Sequence, residues 1–287
     1  MQYWFIINPK SGTQFGQKMA QLESAIAEQT KLPNDEIIFK MTAHAGHATD
    51  LAREAVAQHI DVVVAVGGDG TVNEVARGLL HSQVVLGIVP MGSGNGLARH
   101  LGISMNVPQA TKRIFNSEKQ LIDSALINNI PFFCTAGAGF DAHVAAQFAR
   151  QTRRGFFTYI KTSLLSFWQY QPQVYSFGGQ HVRLFALTFA NASQFGNNAY
   201  IAPQASTQDG LLDVCQLKPF SAIAGLAVAW RLFGKSLDKS RYANIERYHQ
   251  LIVTTETPPL IHYDGESLQL TTNELRVEIV PKSLWVR

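Results

Sequence analysis

The chain reads as an α/β domain built on a parallel sheet, followed by a second domain rich in antiparallel strands. Two observations predict this. Up to about Gln120, short apolar strands alternate with polar loops and helical segments, the texture of a layered α/β domain. From Leu121 onward, strand-like runs dominate and helical material is confined to two stretches. The expected domains are therefore residues 1–120 and 121–287.

The first strand, Tyr3-Trp4-Phe5-Ile6-Ile7, is an apolar run that ends in the polar turn Asn8-Pro9-Lys10-Ser11-Gly12. Helical spacing follows at Gln17 to Glu28 and again at Ala48 to Gln58. Val62-Val63-Val64-Ala65-Val66 is short, valine-rich and closed by glycine, the signature of a strand buried on both faces. It breaks into Gly67-Gly68-Asp69-Gly70-Thr71, and the helix after it opens with a predicted capping box between Thr71 and Glu74. A glycine turn between strand and helix offers bare amides and the positive end of a dipole to a phosphate. Asp69 at that place suits magnesium, which prefers hard oxygen ligands and water. A tight turn with a capping aspartate is the alternative, and one such turn alone does not separate the two.

A third strand, Val84 to Pro90, runs into Met91-Gly92-Ser93-Gly94-Asn95-Gly96 and another helix start. Ligands of open parallel sheets bind at the carboxyl ends of strands, so three such turns can converge on one crevice. None is a Walker lysine loop or a dinucleotide fingerprint.

In the second half, strands are expected at Ile130 to Ala136, His181 to Ala190, Leu211 to Leu217, Gln250 to Thr255, Leu268 to Leu270 and Leu275 to Val280. Helices are expected between Asp141 and Tyr170 and from Ser221 to Phe233.

With 46% hydrophobic and 16% charged residues over 287 positions, the chain has enough apolar material for a sizeable core and is too apolar for disorder. A net charge of +3 permits attraction to nucleotides or anionic lipid heads but is no nucleic-acid signature. Cys134 and Cys215 stand in apolar, strand-like surroundings and read as buried free thiols. No basic region followed by a long apolar stretch opens the chain, so the expected location is cytoplasmic. Two stretches, Phe156 to Trp168 and Ala222 to Trp230, are too short or too interrupted to span a bilayer. Each either packs on its own domain or lies in a lipid interface.

Taken together, Asn8-Pro9-Lys10-Ser11-Gly12, Gly67-Gly68-Asp69-Gly70-Thr71 and Gly92-Ser93-Gly94-Asn95 resemble the three nucleotide loops of the diacylglycerol kinase and sphingosine kinase superfamily. Thr42 with Gly46-His47-Ala48 is similar to its segment after the second strand. Asp123, Thr135 to Asp141, Asp209 to Asp213 and Asp264-Gly265-Glu266 resemble four later landmarks, in the family's order and over nearly the whole chain. The resemblance implies an N-terminal nucleotide domain, a C-terminal β-sandwich and an active site in the cleft between them. It also implies ATP and Mg2+ as cofactors, and a lipid substrate met peripherally at the inner membrane face. A homodimer is left open, and no nucleic-acid partner is expected.

The implied chemistry is phosphoryl transfer to a lipid hydroxyl, which needs a phosphate cradle, magnesium and a base near the attacking oxygen. The resemblance makes Asp264 that base; by itself Asp264-Gly265 reads as a hairpin turn. Asp69, Asp123 and Glu266 would hold magnesium, directly or through water. Asp209, with carbonyls near Ser206 and Leu211, resembles a second, structural magnesium site, the alternative being an Asp-Gly turn before a strand. The sequence departs from many bacterial members at Gly96, where they carry an acid of the magnesium network. Three readings follow: a kinase of diacylglycerol or a related alcohol such as a sphingoid base, a soluble-metabolite kinase similar to the NAD kinases, and a silent nucleotide- or lipid-binding regulator. His100, His143 and His181 have no partner at ligand spacing, nothing else around His44 and His47 suggests a metal, and His47 reads as a loop or helix-cap residue.

Overall fold

The computed structural model describes residues 1–12, 14–29, 35–151 and 155–287. It separates into two compact units, residues 1–122 with 282–287, and residues 123–281.

The first unit contains β1 (Gln2–Ile7), α1 (Phe15–Gln29), β2 (Glu36–Met41), α2 (His47–Ala57), β3 (Val62–Gly67), α3 (Asp69–Leu79), β4 (Val85–Pro90), α4 (Gly96–His100) and α5 (Val107–Asn116). Its strands are parallel in the order β2-β1-β3-β4. All residues of β3 and β4 are buried, as unbroken apolar runs require when helices cover both faces of a sheet. Side chains of β1 alternate: Tyr3, Phe5 and Ile7 join Leu22 and Ile26 of α1 and Val107 and Ile114 of α5 in one core cluster. The helix pair α2 and α3 packs closely, with Gly78 so near α2 that a Cβ there would lie 2.5 Å from that of Ala52. Asn106 caps α5 by accepting from Gln109 N at 3.1 Å, and Pro108 sits in the first turn, where a missing N–H costs nothing. Residues 282–287 rejoin this unit through Val286, which pairs in parallel with Leu86.

The second unit begins inside β5 (Gln120–Ile127) and continues with β6 (Ile130–Phe132), β7 (Thr135–Gly139), α6 (Phe140–Ala149), α7 (Phe156–Gln169), β8 (Gln173–Phe177), β9 (Gln180–Leu184), β10 (Ala186–Ala190), β11 (Leu212–Leu217), α8 (Ala222–Phe233), β12 (Ala243–Tyr248), β13 (Gln250–Thr255), β14 (Leu260–Tyr263), β15 (Glu266–Gln269) and β16 (Glu274–Val286). One antiparallel sheet runs β12-β11-β10-β7-β14-β15; the other joins β16, β13, β8 and β9, with β5 and β6 attached. Period-two alternation builds two cores from single strands. Leu187 and Phe189 of β10 face the sandwich interior with Val253, Ile261 and Val277. Ala186 and Ala190 face a second cluster with Phe185, Cys215 and Val228, packed by Phe140, Phe167 and Phe220 from the helical side. The α/β unit and the antiparallel sandwich are the fold class expected from the sequence. The expected helices become α6, α7 and α8.

Strands β2, β5, β8 and β12 were not foreseen. β8 is only five residues long, while β12 carries Glu246 and Arg247 and is largely exposed. β5 holds the buried acid Asp123 in its middle. The predicted capping box is also absent: α3 begins at Asp69, three residues early, with Gly68 at its N-cap and no side-chain cap. Thr71 Oγ1 instead accepts from Asn8 Nδ2 at 3.2 Å, and Glu74 Oε2 accepts the amide of Ala48 at the start of α2.

Candidate active site

In the first unit the three glycine turns meet at the carboxyl ends of β1, β3 and β4. The strand order reverses between β1 and β3, the topological switch point where ligands of open α/β sheets sit. Asn8 ties the first two loops together: its amide donates to Val66 O at 3.1 Å and its side chain reaches Thr71. Gly12, at φ 69°, lies so close to the third loop that a Cβ there would be 2.0 Å from Met91 O. A Cβ on Gly92 would stand 2.7 Å from Gly68 Cα. At these points glycine lets backbone approach backbone.

Asp69 binds the second loop to the third. Its Oδ2 accepts from Asn95 N at 2.8 Å and its Oδ1 from Gly96 N at 2.7 Å. Gly96 therefore contributes its amide to this carboxylate. The carboxylate is partly buried among loop atoms, and burial pushes its pKa up against the opposing pull of the Gly96 and Asn95 amides. Lys18, which the sequence did not single out, donates to Met91 O at 3.1 Å and secures the third loop to α1. Thr42 follows β2, its amide bonded to Ile7 O beside Asn8. His47 Nδ1 accepts from Ala43 N at 3.0 Å and so closes the loop before α2. Pro9, Lys10 and Ser93 are exposed, while Ser11, Gly67, Gly70 and Gly94 complete the loop backbones.

In the second unit Asp264 and Gly265 form a two-residue turn between β14 and β15, with φ of 46° and 88°. Both positive values fit a type I′ hairpin. The Asp264 side chain does more than turn the chain: Phe133 N reaches Oδ2 at 2.8 Å, while Cys134 N and Thr135 N reach Oδ1 at 2.8 and 3.1 Å. Asn191, buried and missed by the sequence reading, donates from Nδ2 to Phe133 O and to Asp123 O. Asp123 Oδ2 in turn accepts from Gly210 N at 2.8 Å. Landmarks 123, 209–210 and 264 thus share one hydrogen-bonded chain. Glu266 is exposed on β15. Nearby, Asp141 Oδ2 takes bonds from Thr188 Oγ1 at 2.7 Å and His262 Nε2 at 3.0 Å, a buried triad the sequence did not reveal.

Among the described residues no three His, Cys, Asp or Glu side chains cluster as a metal cage. Magnesium is commonly held by few carboxylates plus water and phosphate oxygens. In the second unit Glu266 offers an exposed carboxylate, and in the first Asp69 lies among the loop amides. At the second expected site the carboxylates have partners within the protein. Asp209 Oδ1 accepts from Leu211 N, Ser206 Oγ accepts from Gln208 N, and the Arg247 guanidinium lies 4.0 Å from Asp209 and 3.4 Å from Asp213. A cationic side chain already answers these two acids.

Residues 2–127 match the diacylglycerol kinase catalytic domain, and residues 134–287 match the YegS C-terminal NAD kinase beta sandwich-like domain. A diacylglycerol kinase of Bacillus subtilis is 30% identical over 274 residues, covering 91% of this chain and 88% of its own length. An uncharacterized Synechocystis protein is 33% identical over 241 residues, and the chain spans 53% of its length. In fold, a diacylglycerol kinase structure from Bacillus anthracis aligns over 99% of this chain and 96% of its own with a TM-score of 0.74 at 21% identity. With one domain model matched over more than half its length and the other over the three-loop unit, the chain belongs to the diacylglycerol kinase and YegS-like family of lipid kinases, which are phosphotransferases.

Proposed function

We propose that this protein transfers the γ-phosphoryl group of ATP to the hydroxyl of diacylglycerol or a related lipid alcohol, a sphingoid base included. The observation that carries it is the closure of three glycine loops around the switch point of the parallel sheet, in a chain of this family. Their amides, with the N-terminus of α3, would hold the nucleotide phosphates. Asp264 would accept the proton of the lipid hydroxyl as its oxygen bonds to phosphorus, and the amides of residues 133–135 would fix that carboxylate in position. Asp69, Glu266 and Asp123 would hold magnesium, directly or through water. When bound, the metal supplies neutralisation of the charge that develops on the phosphate oxygens. The amide bonds to both Asp69 oxygens favour a loop-holding role for that residue over the acid role that an NAD-kinase-like reaction would need.

Purified protein with labelled ATP, magnesium and mixed micelles of diacylglycerol, monoacylglycerol, sphingosine or undecaprenol tests this directly, with NAD as the water-soluble control. Label on one lipid supports the proposal and names the acceptor. Label on NAD alone transfers the case to the soluble-metabolite reading. ATP binding with no transfer to anything supports the silent regulator.

A further inference from the structure

The helix α8 conflicts with its surroundings. From Ala222 to Trp230 it carries no polar side chain, and a helix apolar all round is normally buried. Here only Val228 is buried, while Ile223, Leu226 and Trp230 are 84%, 75% and 72% exposed. With Phe233 they follow at i, i+3, i+7 and i+10, one continuous stripe. Helix α7 presents a similar row of Phe157, Leu164, Leu165 and Trp168, with Lys161 in its middle. Both helices rest on one aromatic cluster: Phe167 of α7 stacks on Phe220, just before α8, with ring centroids 5.8 Å apart.

We infer that the outer faces of α7 and α8 form a docking surface for an anionic lipid bilayer. No helix among the described residues is long and apolar enough to cross a membrane, so both would lie in the interface plane. Charge selects the occupant. Between Asp141 and Asp209 the sequence has five basic residues and no acidic one; between Asp213 and Asp238 it has three basic residues, Lys218, Arg231 and Lys235, and again no acid. Basic residues among apolar and aromatic ones match negatively charged headgroups above acyl chains. Trp168 and Trp230 are of the type that settles at headgroup level. This deepens the proposed function and rests on it for the choice of lipid over a protein partner, because the acceptor of a lipid kinase lies in that bilayer.

The test uses the full chain and vesicles of phosphatidylcholine with and without phosphatidylglycerol. The variant is Leu226→Gln with Trp230→Gln, which adds polarity at exposed positions and leaves buried Val228 in place. Removing two large apolar contacts should weaken partition onto the anionic vesicles by about tenfold or more. Transfer to a short-chain diacylglycerol dispersed as monomers should stay at the wild-type rate. Lys161→Gln with Arg231→Gln should weaken binding only to the vesicles containing phosphatidylglycerol, and added salt should mimic it. Equal binding by wild type and variant, or no binding by wild type, overturns the surface. So does light scattering that shows a wild-type dimer, a monomeric variant and no vesicle affinity in either, because the face would then meet a second copy. Vesicle binding that is lost in the variant, without phosphate transfer to any lipid by wild type, would keep the surface and remove the kinase reading.

Discussion

Asp264→Asn separates a chemical role for this side chain from its structural one. The carboxylate receives two amides on Oδ1 and one on Oδ2. Asparagine can keep its carbonyl on Cys134 and Thr135, but its NH2 then faces the Phe133 N–H, donor against donor. One part-buried donor left without an acceptor costs about 1–3 kcal/mol. For a unit of this size that lowers Tm by roughly 2–4 °C per kcal/mol. Starting from an ordinary stability of roughly 5–15 kcal/mol, at least about 2 kcal/mol would remain, so only a few per cent of molecules would be unfolded at 25 °C. Loss of a general base, in contrast, typically removes about 10²–10⁴ in rate. Parallel measurement of Tm and of phosphate transfer to a micellar lipid therefore distinguishes the two. A modest fall in Tm with at least a hundredfold fall in kcat is expected. A variant that retains more than about half of the wild-type rate would refute the assignment of the base.

Other consequences follow from buried groups. His143 has Nε2 buried without a hydrogen bond, its ring 5.6 Å from that of Tyr170. Burial, with the Arg150 charge adding, holds its pKa below 6.5. The unfolded chain thus binds that proton more readily, so this contribution to stability is full above about pH 6.5 and declines as pH falls through that value towards the lower folded pKa. His143→Phe should flatten the fall in Tm on acidification; an unchanged slope would show that His143 is not responsible. Asp213 is buried and burial pushes its pKa up while Arg247 opposes it. Arg247→Ala should therefore destabilise by roughly 1–3 kcal/mol, with the half-exposed guanidinium keeping the effect modest. Wild-type Tm should be indifferent to EDTA, and a clear drop on chelation would restore a structural metal at Asp209. Burial pushes the Cys215 thiol up to about 12, and Cys134 Sγ donates to Gln194 O at 2.9 Å. Neither thiol should react with a disulfide reagent until the protein is unfolded; fast labelling of the native protein would contradict this.

What the sequence disclosed tracks the range of the interaction concerned. Val62 to Val66 could be assigned because an unbroken apolar run has few other uses, and the glycine turns because glycine at strand ends has a local cause. The loop-to-loop contacts of Gly12 with Met91 and of Asp69 with Gly96 span dozens of residues and leave no local trace. The same holds for Asp264, whose amide partners lie 129 to 131 positions away. The role of Asn191 lies in two carbonyl partners 68 and 58 positions away, which leave no local trace. The capping box failed for a specific reason: Thr71 and Glu74 satisfy the local pattern, yet tertiary partners Asn8 and Ala48 claim both side chains. Polar edge strands such as β12 escaped because their exposed faces carry no apolar alternation.

The most direct test of the three-loop cradle is calorimetric titration with a non-hydrolysable ATP analogue and magnesium, comparing wild type with Gly92→Ala. A methyl group at Gly92 would stand 2.7 Å from Gly68 Cα and 2.9 Å from Asn95 Oδ1, forcing the second and third loops apart. Micromolar-range binding by wild type, weakened at least about tenfold in the variant while Tm shows it folded, is the expected result. Equal affinity in both proteins would mean that the nucleotide does not sit on these loops.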